Sequence, residues 1–174
     1  LNYEAMVGKT DQEIIKLISA NTPCVHSEYL QEKQKVFSIL AQKGFEKPPG
    51  RDEFLKKLAQ YPLGVVSSSS RHEIETILKI ERLYESFNFY IGFEDTMRHK
   101  PHPAPYLKAL KLLNIPSQQV LVIEDSPSGI KAAMAANTQV VGLNSESAFN
   151  IRVENLNYYD DYFEILSAIS SFLF

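Results

Sequence analysis

Apolar positions along this chain change rhythm about a quarter of the way in. Over roughly the first 45 residues they keep helical spacing only. Ile14, Leu17 and Ile18 follow a capping box of Thr10 and Glu13, whose side chains satisfy each other's free backbone donors. A second amphipathic helix is predicted from about Ser27 to Gly44, with Leu30, Phe37, Leu40 and Ala41 inward. Lys33 and Lys35 are read as lying off that stripe, in solvent. Pro48-Pro49-Gly50 then marks a domain boundary.

Beyond it, short apolar runs alternate with helical stripes. A helix carrying Phe54, Leu55 and Leu58 ends before Pro62, and a strand from Leu63 to Val66 runs into Ser67-Ser68-Ser69-Ser70-Arg71. A helix with Ile74, Ile77 and Leu78 inward leads to a strand near Phe87 to Ile91. The next loop holds Arg98, His99 and Lys100, stiffened by Pro101 and Pro103. Its helix begins at Pro105 and buries Leu107, Leu110 and Leu113. A strand from Gln139 to Leu143 and a last helix with Phe163, Leu166, Ile169 and Phe172 inward complete the pattern. Strands alternating with helices predict an α/β fold: a Rossmann-like parallel sheet with helices on both faces, plus a small helical cap. Residues 1–47 form the cap and residues 48–174 the core.

The core is organised around QVLVIEDSPSG, residues 119–129. A β-branched apolar run without alternation suits a strand buried on both faces. Glu124 and Asp125 follow it directly, at the carboxyl end, where open α/β sheets place ligands. Ser126 or Ser128 caps the helix that follows, Ile130, Ala133 and Met134 give its stripe, and Asn137 is its left-handed stop. These two acids also suit a solvated helix entry. The serine cluster after an earlier strand and the lysine before an earlier helix favour a site.

Composition narrows the partners. A net charge of −3 leaves no basic excess to neutralise nucleic-acid phosphates. Cys24 is the only cysteine, so no intrachain disulfide forms and a reducing cytoplasm is expected. No apolar run approaches the ~20 residues of a spanning helix. His26, His72, His99 and His102 are scattered and read as surface residues. HExxH, CxxC, GxGxxG and the P-loop are all missing. Hydroxyls and free N–H groups opening a helix after a strand make a phosphate cradle, and Lys100 could neutralise the phosphate.

These residues together resemble the haloacid dehalogenase superfamily of phosphohydrolases, in the branch of β-phosphoglucomutase and phosphoglycolate phosphatase. VVSSSSR is similar to the second motif of that family, HKPHPAPYLKAL to its third and VLVIEDSPSGIKAAMAAN to its fourth. The resemblance implies phosphate binding by Ser68, Ser69, Ser70, Arg71 and Lys100, with Ser68 and Lys100 catalytic, and Mg²⁺ binding by Glu124 and Asp125. The first motif, an Asp-x-Asp-Gly segment on the first strand, does not occur in the 174 residues. Family architecture puts that strand between those of Val65 and Leu121. Its removal leaves two edges ~10 Å apart, twice the strand spacing, with unpaired backbone groups. The expectation is a natural protein that extends before Leu1 and carries this strand, the 174 residues alone being inactive.

The implied activity is Mg²⁺-dependent hydrolysis of a small phosphorylated metabolite through an aspartyl-phosphate, by a monomeric cytoplasmic protein that binds neither nucleic acid nor membrane. A catalytically silent relative that binds phosphorylated ligands is the second reading. A phosphoglucomutase-type phosphotransferase is a third. In such mutases an arginine after the first cap loop grips a second phosphate, and Asp11 stands at the matching place here, after Thr10. Lys9 and Lys33 are weaker candidates for that grip. A receiver-type signalling domain could also use acids, a hydroxyl and a lysine; the helical first 45 or so residues and the KPHP loop argue against it.

Overall fold

The computed structural model describes residues 14–16, 26–144 and 153–173. Thr10, Lys9 and Asp11 lie outside these residues, as does Cys24. Residues 14–16 are helical. Helix α1, His26–Gln42, turns one stripe towards α3, Arg71–Ile80. That stripe is Leu30, Lys33, Phe37 and the buried Ala41. Leu40, expected inward, is 52% exposed. Lys33, expected in solvent, is on the stripe, because three residues from Leu30 and four from Phe37 share one helical face.

Two separate parallel half-sheets follow. Strand β1, Gly64–Val66, pairs with β2, Phe89–Ile91, with Val66 opposite Ile91. Strand β3, Leu121–Glu124, pairs with β4, Gln139–Leu143, which pairs with β5, Tyr158–Tyr159. The aromatic pair forming β5 was not expected from sequence. Its Tyr158 ring covers Gly142, where an added Cβ would meet a ring carbon at 2.2 Å.

Helices lie on both faces, as the alternation predicts. On one face α4, Ala104–Leu113, and α5, Pro127–Ala135, bring Tyr106, Ala132, Ala133 and Ala136 onto Val122. On the other, α2, Arg51–Leu58, and α6, Tyr162–Leu173, bring Phe54, Leu58, Ile165 and Ile169 onto Ile123, Val141 and Leu143. Adjacent residues of β3 thus serve opposite cores, which explains its unbroken apolar run.

In α4, α5 and α6, Leu110, Ile130, Ala133, Leu166 and Ile169 face the cores as expected, but one residue of each of these three stripes does not. Leu107, Met134 and Phe163 are 49%, 47% and 50% exposed, while Tyr106, Ala132 and Ile165 are buried. These helices carry apolar residues on adjacent positions, so spacing alone leaves the inward one open by about 100°. Helix α4 begins at Ala104 with Pro103 as its cap, and Pro105 is one step inside. Among the described residues no helix is long and apolar enough to cross a membrane.

Between β1 and β3 lies a slot of about 520 Å³. It is lined by Val65 and Val66 on one side, Leu121 and Ile123 on the other, and Tyr106 and Phe54 from the two helical layers. Among the described residues, β1 pairs with β2 and β3 with β4, and neither pairs with the other across the slot.

Candidate active site

The carboxyl ends of β1 and β3 are joined by one side chain. Lys100, before α4, is 9% exposed, and its Nζ donates to the Val66 carbonyl of β1 at 3.0 Å and to Glu124 Oε1 of β3. Two of its three donors are used. Glu124 ends β3 and is 7% exposed. Its Oε1 also accepts from the Tyr106 hydroxyl at 2.5 Å. Its Oε2 accepts from the Ser126 hydroxyl at 3.0 Å and the Ser126 N–H at 3.3 Å. Both oxygens are thus doubly occupied, which compensates the cost of burying the charge. Burial, and then the adjacent Glu124 carboxylate, push the Tyr106 phenol far above its ordinary range, so it stays a donor.

Local sequence explains this arrangement. Ser126, not Ser128, caps α5 and accepts from the Gly129 N–H at 3.0 Å. Gly129 leaves room for the carboxylate: an added Cβ would lie 2.1 Å from Glu124 Cδ. Asn137 ends the helix with φ of 60°, as expected of a left-handed stop.

The four serines divide their tasks. Ser67 N–H continues the ladder to Ile91 O at 2.9 Å, and its hydroxyl accepts from Ser69 N–H at 3.1 Å. Ser70 caps α3 in a full capping box, its N–H and hydroxyl both donating to Glu73 Oε2. Arg71 forks onto both Asp95 oxygens at 2.8 Å, and its N–H meets Glu94. Ser68 stands between them in the chain and is half-buried. Lys33 reaches Glu73 Oε1 at 2.9 Å. Arg98 lies beside His102, and His99 stacks on Phe93 with centroids 4.0 Å apart.

Asp95 was not singled out from sequence. It collects Lys108 at 2.8 Å, the Gly92 N–H at 2.9 Å and Arg71. Burial would raise its pKa, but Lys108, Gly92 N–H and Arg71 together hold it at about 2.

The donor set for a hard cation is small. Among the described residues no three His, Cys, Asp or Glu side chains cluster for a metal. Glu124 has its oxygens filled by donors, whereas Asp125 is exposed at the strand end. A hard cation such as Mg²⁺ binds through one or two carboxylates plus phosphate oxygens and water, and Asp125 and Glu124 are the carboxylates this strand end would offer it.

Residues 2–143 match the family described as haloacid dehalogenase-like hydrolase. The chain is 32% identical over 145 residues to the bifunctional riboflavin kinase/FMN phosphatase of Arabidopsis thaliana, covering 80% of this chain and 38% of that protein. It is 28% identical over 118 residues to pyrophosphatase PpaX of Bacillus mycoides, covering 68% of this chain and 49% of that protein. The chain thus spans about half the length, or less, of these curated relatives. Among solved structures, CbbY from Rhodobacter sphaeroides in complex with phosphate superposes with a TM-score of 0.85 at 18% identity, over 94% of this chain and 78% of that one.

Proposed function

The chain belongs to the haloacid dehalogenase-like hydrolases, and on that premise we propose that it carries most of the site of a Mg²⁺-dependent phosphohydrolase for a small phosphorylated metabolite. The observation that carries the reading is Lys100, a buried ammonium held across the gap between two strand ends with one donor to spare. A phosphoryl oxygen is the acceptor such a fixed cation suits, and Ser68, two residues past the end of β1, would add its hydroxyl and N–H. The Ser69 N–H, the Ser70 N–H and hydroxyl, and the Arg71 N–H and Nη2 are taken up within the fold, which leaves the Ser69 hydroxyl and the rest of the Arg71 guanidinium as the donors these residues would offer a phosphate. Bound Mg²⁺ would offset charge on the phosphoryl oxygens, with Asp125 holding it.

The attacking aspartate belongs, in this reading, to a strand that fills the slot. A strand lying there parallel to β1 and β3 would end near the strand ends that Lys100 bridges, where its ammonium favours an acidic residue. No Asp-x-Asp-Gly occurs in the 174 residues, which on their own are therefore expected to bind phosphate without turning over. In this reading residues 1–47 belong to a cap, and within it Lys33 pairs with Glu73 at 2.9 Å.

The test is to join an apolar strand ending in Asp-x-Asp to the chain and measure phosphate release with Mg²⁺. The relatives' names suggest pyrophosphate and FMN as first substrates, with phosphoglycolate and sugar monophosphates after them. Hydrolysis is expected, and Lys100→Ala should lower it by about 2 to 4 kcal/mol of barrier. Phosphate binding without release would instead support the silent-binder reading. Isomerisation of β-glucose 1-phosphate, primed by glucose 1,6-bisphosphate and releasing little phosphate, would support the mutase.

A further inference from the structure

One buried polar group has no part in the chemistry above: the Tyr106 hydroxyl. Tyr106 is 4% exposed and packs with Val122, Ala132, Ala133 and Ala136, surroundings in which a phenylalanine would serve as well. Its oxygen lies 2.5 Å from Glu124 Oε1, the distance of a charge-assisted hydrogen bond. The same Oε1 takes Lys100, and the Tyr106 ring centroid is 5.2 Å from Lys100 Nζ. Ser126 holds the opposite oxygen. With one oxygen pinned from α4 and the other from the head of α5, the carboxylate cannot turn about its last torsion.

We infer that Tyr106 is a positioning residue, its hydroxyl orienting Glu124 as the mount of Lys100, so that the third ammonium N–H keeps one direction. Without that hydroxyl, Oε1 would be held by Lys100 alone, and the second acceptor of the ammonium would be less firmly fixed. The functional meaning rests on the phosphate-gripping role of Lys100 proposed above; the geometric claim does not.

The experiment reads the Lys100 ammonium directly and needs no turnover, so a chain that hydrolyses nothing still answers it. In the 174-residue chain with ¹⁵N-labelled lysine, the Lys100 signal is identified by its loss in Lys100→Met. Tyr106→Phe, which removes one oxygen and keeps the ring, is expected to shift that signal or lose it to solvent exchange. Leu110→Ala, on the same helix and packed on the same cluster, is expected to lower the melting temperature more yet leave the signal in place. An unchanged signal in Tyr106→Phe overturns the inference, and so does an equal change in Leu110→Ala. Should Tyr106→Phe fail to fold, the wild-type chain decides. A slowly exchanging hydroxyl proton on Tyr106, with a cross-peak to the Lys100 ammonium, supports the inference, and its absence overturns it.

Discussion

Glu124 leans across the first turn of α5 and comes to rest where Gly129 has no side chain. A methyl group there would collide with a carboxylate that four hydrogen bonds hold, so relief must come from losing some of them. Gly129→Ala is therefore expected to cost about 1 to 3 kcal/mol, despite the gain in helix propensity. A urea titration showing no loss of stability would contradict this. Asp95 yields a second prediction. Its pKa is about 2 in the fold against an ordinary 3.8, so its contribution is present above the ordinary value and is lost as pH falls towards 2. After discounting for solvent screening it is on the order of 1 to 2 kcal/mol. Asp95→Asn should flatten acid unfolding between those two pH values, followed by circular dichroism.

Helix α3 connects the serine loop to α1 through one residue. Glu73 closes the capping box with Ser70 and takes Lys33 from α1. Burial would raise its pKa, but Lys33 and the Ser70 donors keep it lowered. Removing Lys33 strands a carboxylate whose side chain is only 7% exposed. Lys33→Met should cost about 1 to 2 kcal/mol, whereas Lys35→Met, whose partner Glu32 is at 3.7 Å in open solvent, should change stability by less than about 0.5. Equal effects in urea unfolding would remove the case for a distinct Lys33 contact. Ser70→Ala should cost about 1 kcal/mol through the lost cap. Spacing along α1 already held the Lys33 answer, since Leu30 and Phe37 flank it at helical intervals; general lysine behaviour pointed the other way.

At the scale of the whole molecule the defining feature is two half-sheets facing each other across an apolar slot. Two parallel edges with unpaired groups accept a parallel strand between them, which would bury apolar side chains in both cores at once. Fusing such a strand is expected to raise the urea midpoint. A version with a central proline, which lacks the donor one edge requires, should not. If both versions behave alike, the slot does not take a strand.

Sequence by itself determined the order of strands and helices as far as β4, the parallel α/β class, the left-handed stop at Asn137, and the placing of Lys100, Ser68 and Glu124-Asp125 at strand ends. These follow from local rules: periodicity, capping chemistry and the directionality of βαβ units. Tertiary structure alone decided which of two adjacent apolar residues faces inward, so that Tyr106 and not Leu107 reached Glu124. It also gathered Arg71, Asp95 and Lys108 from separate elements. A carboxylate's partners depend on which donors lie within about 3 Å of it in space, and residues far apart in the chain meet at that distance only once the helices have docked.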